Sequence, residues 1–339
     1  MKSYKIITFI LVLLTLFNLQ SVAFAKNELV YTIHVNGVID NGLYNFVKRG
    51  IREAEENHAK ALIFEINTPG GEIKAASNIS NAILNTDIPT IAYVNNEALS
   101  AGVIVAISCQ TIAVSPTAAI GAAETRPKEE KYISAWAAQL RSVAEKTGRN
   151  KELVAAMADE DIVIEGLKEK GKILSLTSNE ALEWGIADEI VENIDELLKS
   201  QNLYDVSVRV HKPNSAEKFA QFITNPFISP IILTIGIVGV VTEILTPGFG
   251  LPGLLGILAF TFFFGGNILA GITSYWVILL FVLGIILLTV EIFIPGFGVF
   301  GIFGIILTFT SIIIAFPSIE QALISIIFAI LASGITIFL

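Results

Sequence analysis

Two hydrophobic patterns divide the chain. Up to about residue 220, short apolar runs alternate with segments of helical period, whereas residues 222–339 are almost continuously apolar. In the first part, residues 29–35 alternate and are β-prone, which predicts a strand broken by Gly37. Residues 41–59 have a helical period, and 61–66 form a short apolar run of the kind that fills a buried parallel strand. The same logic gives a helix over 72–84, a buried strand over 89–94, an apolar helix opening at Ser100-Ala101-Gly102, and a strand over 111–115. Strand, helix, strand, helix in this order predicts a parallel sheet with crossover helices. Residues 121–130 contain Pro127 and five charged side chains without apolar period, and read as a mobile loop. Helices are expected over 132–147, ended by Gly148-Arg149-Asn150, and over 151–158. Two more are expected over 178–184, with Ser178 as N-cap, and over 191–199.

The apolar second part carries only Glu243, Glu291 and Glu320 as formal charges, and no Lys or Arg follows Lys218. A water-soluble domain fused to a membrane domain has this distribution. The tail also repeats itself. Glu243-Ile244-Leu245-Thr246-Pro247-Gly248-Phe249-Gly250 recurs as Glu291-Ile292-Phe293-Ile294-Pro295-Gly296-Phe297-Gly298, and Gly253 and Gly256 correspond to Gly301 and Gly304. Pro-Gly pairs break helices into tight hairpins, and small residues let the helices pack closely. Four to five spanning or re-entrant segments are expected, the first, over 230–245, being short for a full span of about 20 residues. Glu243 and Glu291 have two readings: functional intramembrane acids, or interfacial residues beside the Pro-Gly break. Their place near helix ends favours the second.

At the other end, Lys2 and Lys5 precede an apolar run over 6–17 and the small residues of Ala23-Phe24-Ala25. This reads as a cleavable signal peptide over 1–25, with an uncleaved anchor helix as the alternative. Either sends the following domain out of the cytoplasm. The expected organisation is a head over 26–207, a linker over 208–227 and a membrane domain over 228–339.

Composition then removes several function classes. The net charge of −9 lies almost wholly on the first part, which excludes nucleic acid as a partner. The single cysteine, Cys109, excludes an internal disulfide and, after an apolar stretch, reads as a buried hydrophobe. His34, His58 and His211 are scattered, so no metal site is suggested and no cofactor is called for.

Two local features carry chemistry. Ser100 lies in a small-residue turn between a buried strand and a helix, where backbone N–H groups favour a nearby negative charge. Ala101 and Gly102 let a substrate backbone approach closely. The turn Pro69-Gly70-Gly71 follows the preceding parallel strand, and ligands bind where such strand ends lie side by side. The Gly71 and Ala101 amides would then face one point and form an oxyanion hole, each donor worth roughly 3–4 kcal/mol in other hydrolases. Taken alone, Ser-Ala-Gly before an apolar helix also fits a cap or a packing device.

The combination of motifs narrows this choice. Asn67-Thr68-Pro69-Gly70-Gly71, Asn95-Asn96-Glu97-Ala98-Leu99-Ser100-Ala101-Gly102, Ala119-Ile120-Gly121-Ala122-Ala123 and Gly148-Arg149-Asn150 occur in order. Leu176-Thr177-Ser178-Asn179-Glu180-Ala181-Leu182 and Trp184-Gly185-Ile186-Ala187-Asp188 follow. The chain thereby resembles the NfeD family of membrane-bound proteases, whose heads are similar to ClpP. The resemblance implies an α/β ClpP/crotonase-like head domain followed by an all-α polytopic membrane domain. It also implies a serine peptidase with Ser100 as nucleophile and Gly70, Gly71 and Ala101 at the oxyanion and substrate-binding site. The family's general base is a lysine at the start of the helix that ends in Gly-Arg-Asn, which corresponds to Lys131, with Lys128 as the second candidate. An apolar shell of Tyr132, Ile133 and Trp136 would let such an amine lose its proton. Implied partners are peptide or membrane-protein substrates, stomatin-like membrane proteins, membrane lipid and further copies of the chain. A catalytically silent scaffold for stomatin-like partners is the alternative. An acyl-CoA enzyme of the same fold class is disfavoured by an extracytoplasmic location. Long members of the family carry a small C-terminal barrel of the OB type. This sequence stops at Leu339 inside an apolar run, so a form without that barrel is expected.

Overall fold

The structure, a computed structural model, describes residues 28–245, 248, 250–294 and 298–338. The expected signal peptide and parts of both Pro-Gly turns lie outside the described residues. The head is built on three parallel strands, β1 (Leu29–Asn36), β2 (Ala61–Thr68) and β3 (Thr90–Leu99). Each leads into a helix: α1 (Asn41–Glu56), α2 (Ile73–Leu84) and α3 (Gly102–Ile107). β2 reads as a continuous apolar run because both of its faces are covered; only Glu65 and Asn67 escape full burial.

β3 is ten residues long and serves two neighbours on one edge. β4 (Thr111–Val114) pairs with Ile91 to Val94, and β5 (Ala119–Gly121) pairs with Glu97 to Leu99. Between β2 and β3 the register slips, from Ile66 opposite Val94 to Thr68 opposite Ala98. This irregularity brings the turn after β2 level with the end of β3. The short β6 (Ser175–Thr177) adds antiparallel to β5, and β7 (Glu189–Ile190) adds to β4. The remaining head helices are α4 (Glu130–Lys146), α5 (Lys151–Ala156), α6 (Ser178–Glu183) and α7 (Ile194–Ser200). The quoted Gly148-Arg149-Asn150 and Ala187-Asp188 motifs meet here. The buried Arg149 guanidinium donates to the carbonyls of Ile186 (2.7 Å) and Gln110 (3.2 Å) and to Asp188 (2.8 Å). Asp188 in turn accepts from the Ile112 N–H at 2.7 Å, tying the helical layer to the edge of β4.

Four boundaries differ from the sequence reading. The cap of α6 is Thr177, not Ser178: Thr177 and Glu180 form a reciprocal capping box. Ser178 turns inward and donates to the carbonyls of Ser115 and Ala118. α7 begins at Ile194 because the Asn193 side chain accepts from the Glu196 N–H at 3.0 Å. α4 begins at Glu130, which puts Lys131 in its first turn. The segment read as a linker holds a strand, β8 (Ser207–Val210), parallel to β1, and a helix, α8 (Ser215–Ile223), capped by Asn214 and Glu217. All four β8 residues are exposed, so that edge strand has no buried face to betray it.

The all-α membrane domain follows as α9 (Ile228–Leu245), α10 (Leu251–Leu269), α11 (Tyr275–Ile292), α12 (Val299–Ile314) and α13 (Ile319–Phe338). Of these, α9, α10 and α11 are long and apolar enough to cross a membrane. The sequence repeat is a structural repeat. The Glu243 carboxylate accepts from the N–H groups of Gly250 (2.9 and 3.0 Å) and Gly253 (3.1 Å). Glu291 accepts from Gly298 and from Gly301, the latter at 3.0 Å. Each acid at the end of one helix thus caps the start of the next, where orphan N–H groups and the helix dipole favour negative charge. Capping the following helix gives each acid a structural role. A Cβ on Gly253 would lie 2.9 Å from a Glu243 carboxylate oxygen, and one on Gly239 would lie 2.8 Å from the Gly256 Cα. The small residues are therefore what allow the α9–α10 hairpin to close. Head and membrane domain meet where Asn41 donates to the Gly271 carbonyl (3.3 Å) and where Phe219 of α8 packs edge-on against Phe262 of α10.

Candidate active site

Ser100 immediately follows β3 and adopts a φ of 53°. A non-glycine residue in this region carries strain on the order of 1–3 kcal/mol and persists only where its surroundings hold it. Here they do. The Ser100 N–H donates to the Gly121 carbonyl at 2.9 Å, and the Ser100 carbonyl accepts from Val103 at 3.1 Å. The six residues of α3 that follow are all buried, so the elbow is anchored in the core. Ser100 itself is half-buried, and among the described residues its hydroxyl has no hydrogen-bond partner.

The turn after β2 closes on this serine. Gly70 has a φ of 106°, and a Cβ there would lie 2.4 Å from the Ser100 Cβ and 2.9 Å from its Oγ. Only glycine fits such an approach. A Cβ on Gly71 would lie 2.2 Å from the Ile39 carbonyl oxygen. The Gly70 N–H is taken by Thr68 Oγ1 (3.0 Å), and the Gly70 carbonyl accepts from Ile39 (2.8 Å). Among the described residues, the N–H groups of Gly71 and Ala101 have no protein partner. Of the three residues assigned to the oxyanion and substrate site, Gly70 therefore supplies space beside the serine, while Gly71 and Ala101 have donors left over.

The lysines stand elsewhere. Lys131 pairs with Glu129 at 2.9 Å, sits 4.6 Å from the Tyr132 ring centroid, and has 67% of its side chain exposed. Lys128 pairs with Glu124 and lies 3.8 Å from Glu160. The hydrogen bond that Lys128 donates to Glu124 holds its ammonium above its ordinary pKa, the wrong direction for a base. Neither lysine makes a hydrogen bond to Ser100. Of the expected apolar shell, Trp136 is buried, with its indole N–H on the Ala123 carbonyl (2.8 Å), but Tyr132 is exposed.

One lysine escaped sequence reading. Lys168 is buried and donates to the carbonyls of Asp159 (2.9 Å), Glu160 (3.2 Å) and Ile162, and burial pushes its pKa down. Its three donors hold one loop together. In a charged stretch such a lysine has no pattern to distinguish it from a solvated one. Cys109 is fully buried, and burial pushes its thiol pKa up, which removes it as a nucleophile. Among the described residues, no group of three His, Cys, Asp or Glu side chains is placed to hold a metal ion.

Comparison with known proteins gives this geometry a context. Residues 29–211 match the model of the NfeD1b N-terminal domain, and residues 227–339 match that of the NfeD integral membrane domain. Membrane protein NfeD1b of Bacillus subtilis is 36% identical over 80% of this chain and 63% of its own length. Membrane-bound protease PH1510 of Pyrococcus horikoshii is 34% identical over 80% of this chain and 66% of its own length. The chain thus spans just under two-thirds of each of these relatives. Among solved structures, a lysine-to-alanine variant of the 1510-N membrane-bound stomatin-specific protease, in complex with a substrate peptide, is similar. It is 28% identical and covers 58% of this chain and 98% of its own, with a TM-score of 0.51. Matched by family models along both its α/β head and its helical tail, the chain belongs to the NfeD family.

Proposed function

We propose that the chain is a membrane-anchored serine endopeptidase whose dyad is Ser100 and Lys131. The observation that carries this reading is the elbow: a strained, half-buried serine with an unpartnered hydroxyl, pressed against Gly70 and flanked by two unpartnered N–H groups. In the reaction, Ser100 Oγ attacks the scissile carbonyl carbon and its proton passes to a neutral Lys131 amine. The oxyanion collects the Gly71 and Ala101 N–H groups. The protonated amine then gives its proton to the departing peptide nitrogen, and water releases the acyl group. For this, Lys131 has to leave Glu129 and reach Ser100 as a peptide enters. The 1510-N structure with a bound peptide has a lysine replaced, which supports giving a lysine this role.

The substrates proposed are hydrophobic stretches of membrane-associated proteins, with stomatin-like proteins as partners. The support is the stomatin specificity in the name of 1510-N and the integral membrane domain of this chain. The head is proposed to lie outside the cytoplasm and to self-associate. Hydrolysis of hydrophobic peptides by the full chain in nanodiscs tests the central assignment. Ser100→Ala is expected to lower kcat on the order of 10³- to 10⁶-fold, as loss of a serine nucleophile does elsewhere. Undiminished turnover by a folded Ser100→Ala protein removes Ser100 from the mechanism.

A silent scaffold is the second reading, and the exposed position of Lys131 favours it. It predicts no hydrolysis by the wild type, no labelling of Ser100 by a fluorophosphonate, and partner binding unchanged in Ser100→Ala.

A further inference from the structure

One cavity with polar groups in its lining lies away from Ser100. This cavity, of about 450 Å³, lies where β1, α1 and α8 meet the α10–α11 turn. Its polar wall includes Asp40, Asn45, His211, Glu217 and Gln221, and its far wall is Leu269 and Ala270 of the membrane domain. A second cavity, about 590 Å³ and almost wholly apolar, runs between α9, α10 and α11. Phe260, Phe264, Tyr275, Phe281 and Ile285 line it, and so does Leu269. Both volumes fall within the range of ligand sites, about 300–1,000 Å³. Leu269 borders both, so the two cavities adjoin at that residue.

The depth of the junction is fixed by the helices. The 19 residues of α10 extend about 28 Å, close to the roughly 30 Å hydrocarbon core, so Leu269 sits at one face of the bilayer. Tyr275 and Trp276, both exposed, stand at the same level, where aromatic side chains gather at a membrane interface. The polar cavity therefore lies at headgroup height and the apolar one at acyl-chain depth.

The charges select the headgroup. No Lys or Arg lines the polar cavity. The nearest guanidinium, Arg49, is committed to Glu217 (2.6 Å), Glu53 (2.6 Å) and the Lys212 carbonyl (3.0 Å). Asp40 and the Arg49–Glu53–Glu217 cluster leave the wall net negative. His211 is 3% exposed, and its Nδ1 meets Glu53 at 2.9 Å. Glu53 accepts there, so the proton sits on Nδ1 and Nε2 offers a lone pair. That Nε2 is buried without a partner. Burial and the neighbouring Arg49 both lower the His211 pKa, which keeps the ring neutral. The one imidazole on the wall with a raised pKa, His34, is paired with Glu65 at 3.0 Å, so Asp40 and the His211 Nε2 are left as acceptors that suit a donor-rich cation.

We propose that the two cavities form one binding site for a diacyl lipid with a primary ammonium headgroup, its amine near Asp40 and His211 and one acyl chain between α10 and α11. This site is independent of the chemistry at Ser100.

Native mass spectrometry of the full chain tests it, after equilibration in detergent with equimolar phosphatidylethanolamine, phosphatidylcholine and phosphatidylglycerol of identical chains. One phosphatidylethanolamine is expected to be retained about tenfold over either competitor, the ratio for one charge-assisted hydrogen bond. Asp40→Asn keeps the α1 cap, since asparagine caps as well as aspartate, and is expected to lower that preference. Gly265→Leu fills the apolar cavity, where a Cβ meets nothing within 4 Å, and is expected to lower retention of all three lipids. Equal retention of the three lipids by the wild type overturns the proposal. So does a phosphatidylethanolamine preference that Asp40→Asn leaves unchanged, or lipid retention that Gly265→Leu leaves unchanged.

Discussion

The serine elbow and the first turn of α4 are held by different kinds of force. Ser100 is fixed by a strand ladder behind it, the Gly121 carbonyl beside it and a buried helix ahead of it. Shifting that elbow would pull Val103, Ile104, Val105 and Ile107 from the core, at about 1.5–3 kcal/mol for each side chain exposed. Lys131 is held by Glu129 and the Tyr132 ring, both at the surface. Exposed ion pairs of that sort are worth about 0–1 kcal/mol. The proposed nucleophile and amide donors are therefore rigid, and the proposed base rests in a shallow well. A site arranged this way places its charge-stabilising groups in advance and assembles its proton acceptor only when substrate is present.

The largest effect expected along this division belongs to Lys131, with Lys128 as its control. Lys131→Ala is expected to lower kcat/KM by about 10²- to 10⁴-fold, the range for removing a general base. Lys128→Ala, a surface change, is expected to stay within about twofold. Steady-state peptide hydrolysis by both variants separates them. The reverse order would move the base to Lys128 and require Glu124 to release it.

A smaller effect tests the rigid side. Gly70→Ala puts a Cβ 2.4 Å from the Ser100 Cβ at a φ of 106°. Chemical denaturation is expected to show a loss of about 2–3 kcal/mol, from overpacking added to backbone strain. Gly166→Ala is the control. Its φ is 80° with nothing within 4 Å of a new Cβ, so only backbone strain of about 1 kcal/mol applies. Equal losses at the two positions would mean that the elbow gives way more easily than its packing implies.

What the sequence revealed divides along the same line. The parallel strands were legible as unbroken apolar runs because the fold covers both their faces. The turns at Ser100 and at Gly70-Gly71 were legible because small residues between a strand and a helix mark such turns. β8 was not, since all its residues are exposed. The start of α4 was hidden in Glu129-Glu130-Lys131, where charge masks helical period. The repeat marked Glu243 and Glu291 as equivalent. Their role as caps needed the hairpin, which returns the chain seven residues later to the same carboxylate. The resting position of Lys131 is set by two weak surface contacts, and no pattern in the chain records contacts that weak.

Those weak contacts set the smallest prediction. Glu129 precedes α4 as its N-cap, but its side chain makes no capping hydrogen bond. Glu129→Gln therefore removes the ion pair with Lys131 without unwinding the helix. If that pair only holds the amine away from Ser100, its loss deepens no competing well, and kcat/KM is expected to rise, by no more than about fivefold. Thermal stability is expected to be unchanged, and Glu124→Gln, which releases Lys128 instead, is expected to leave the rate alone. A fall in kcat/KM with Glu129→Gln would reverse the sense of the comparison. Glu129 would then be guiding Lys131 toward the serine, and the first turn of α4 would belong to the preorganised part of the site.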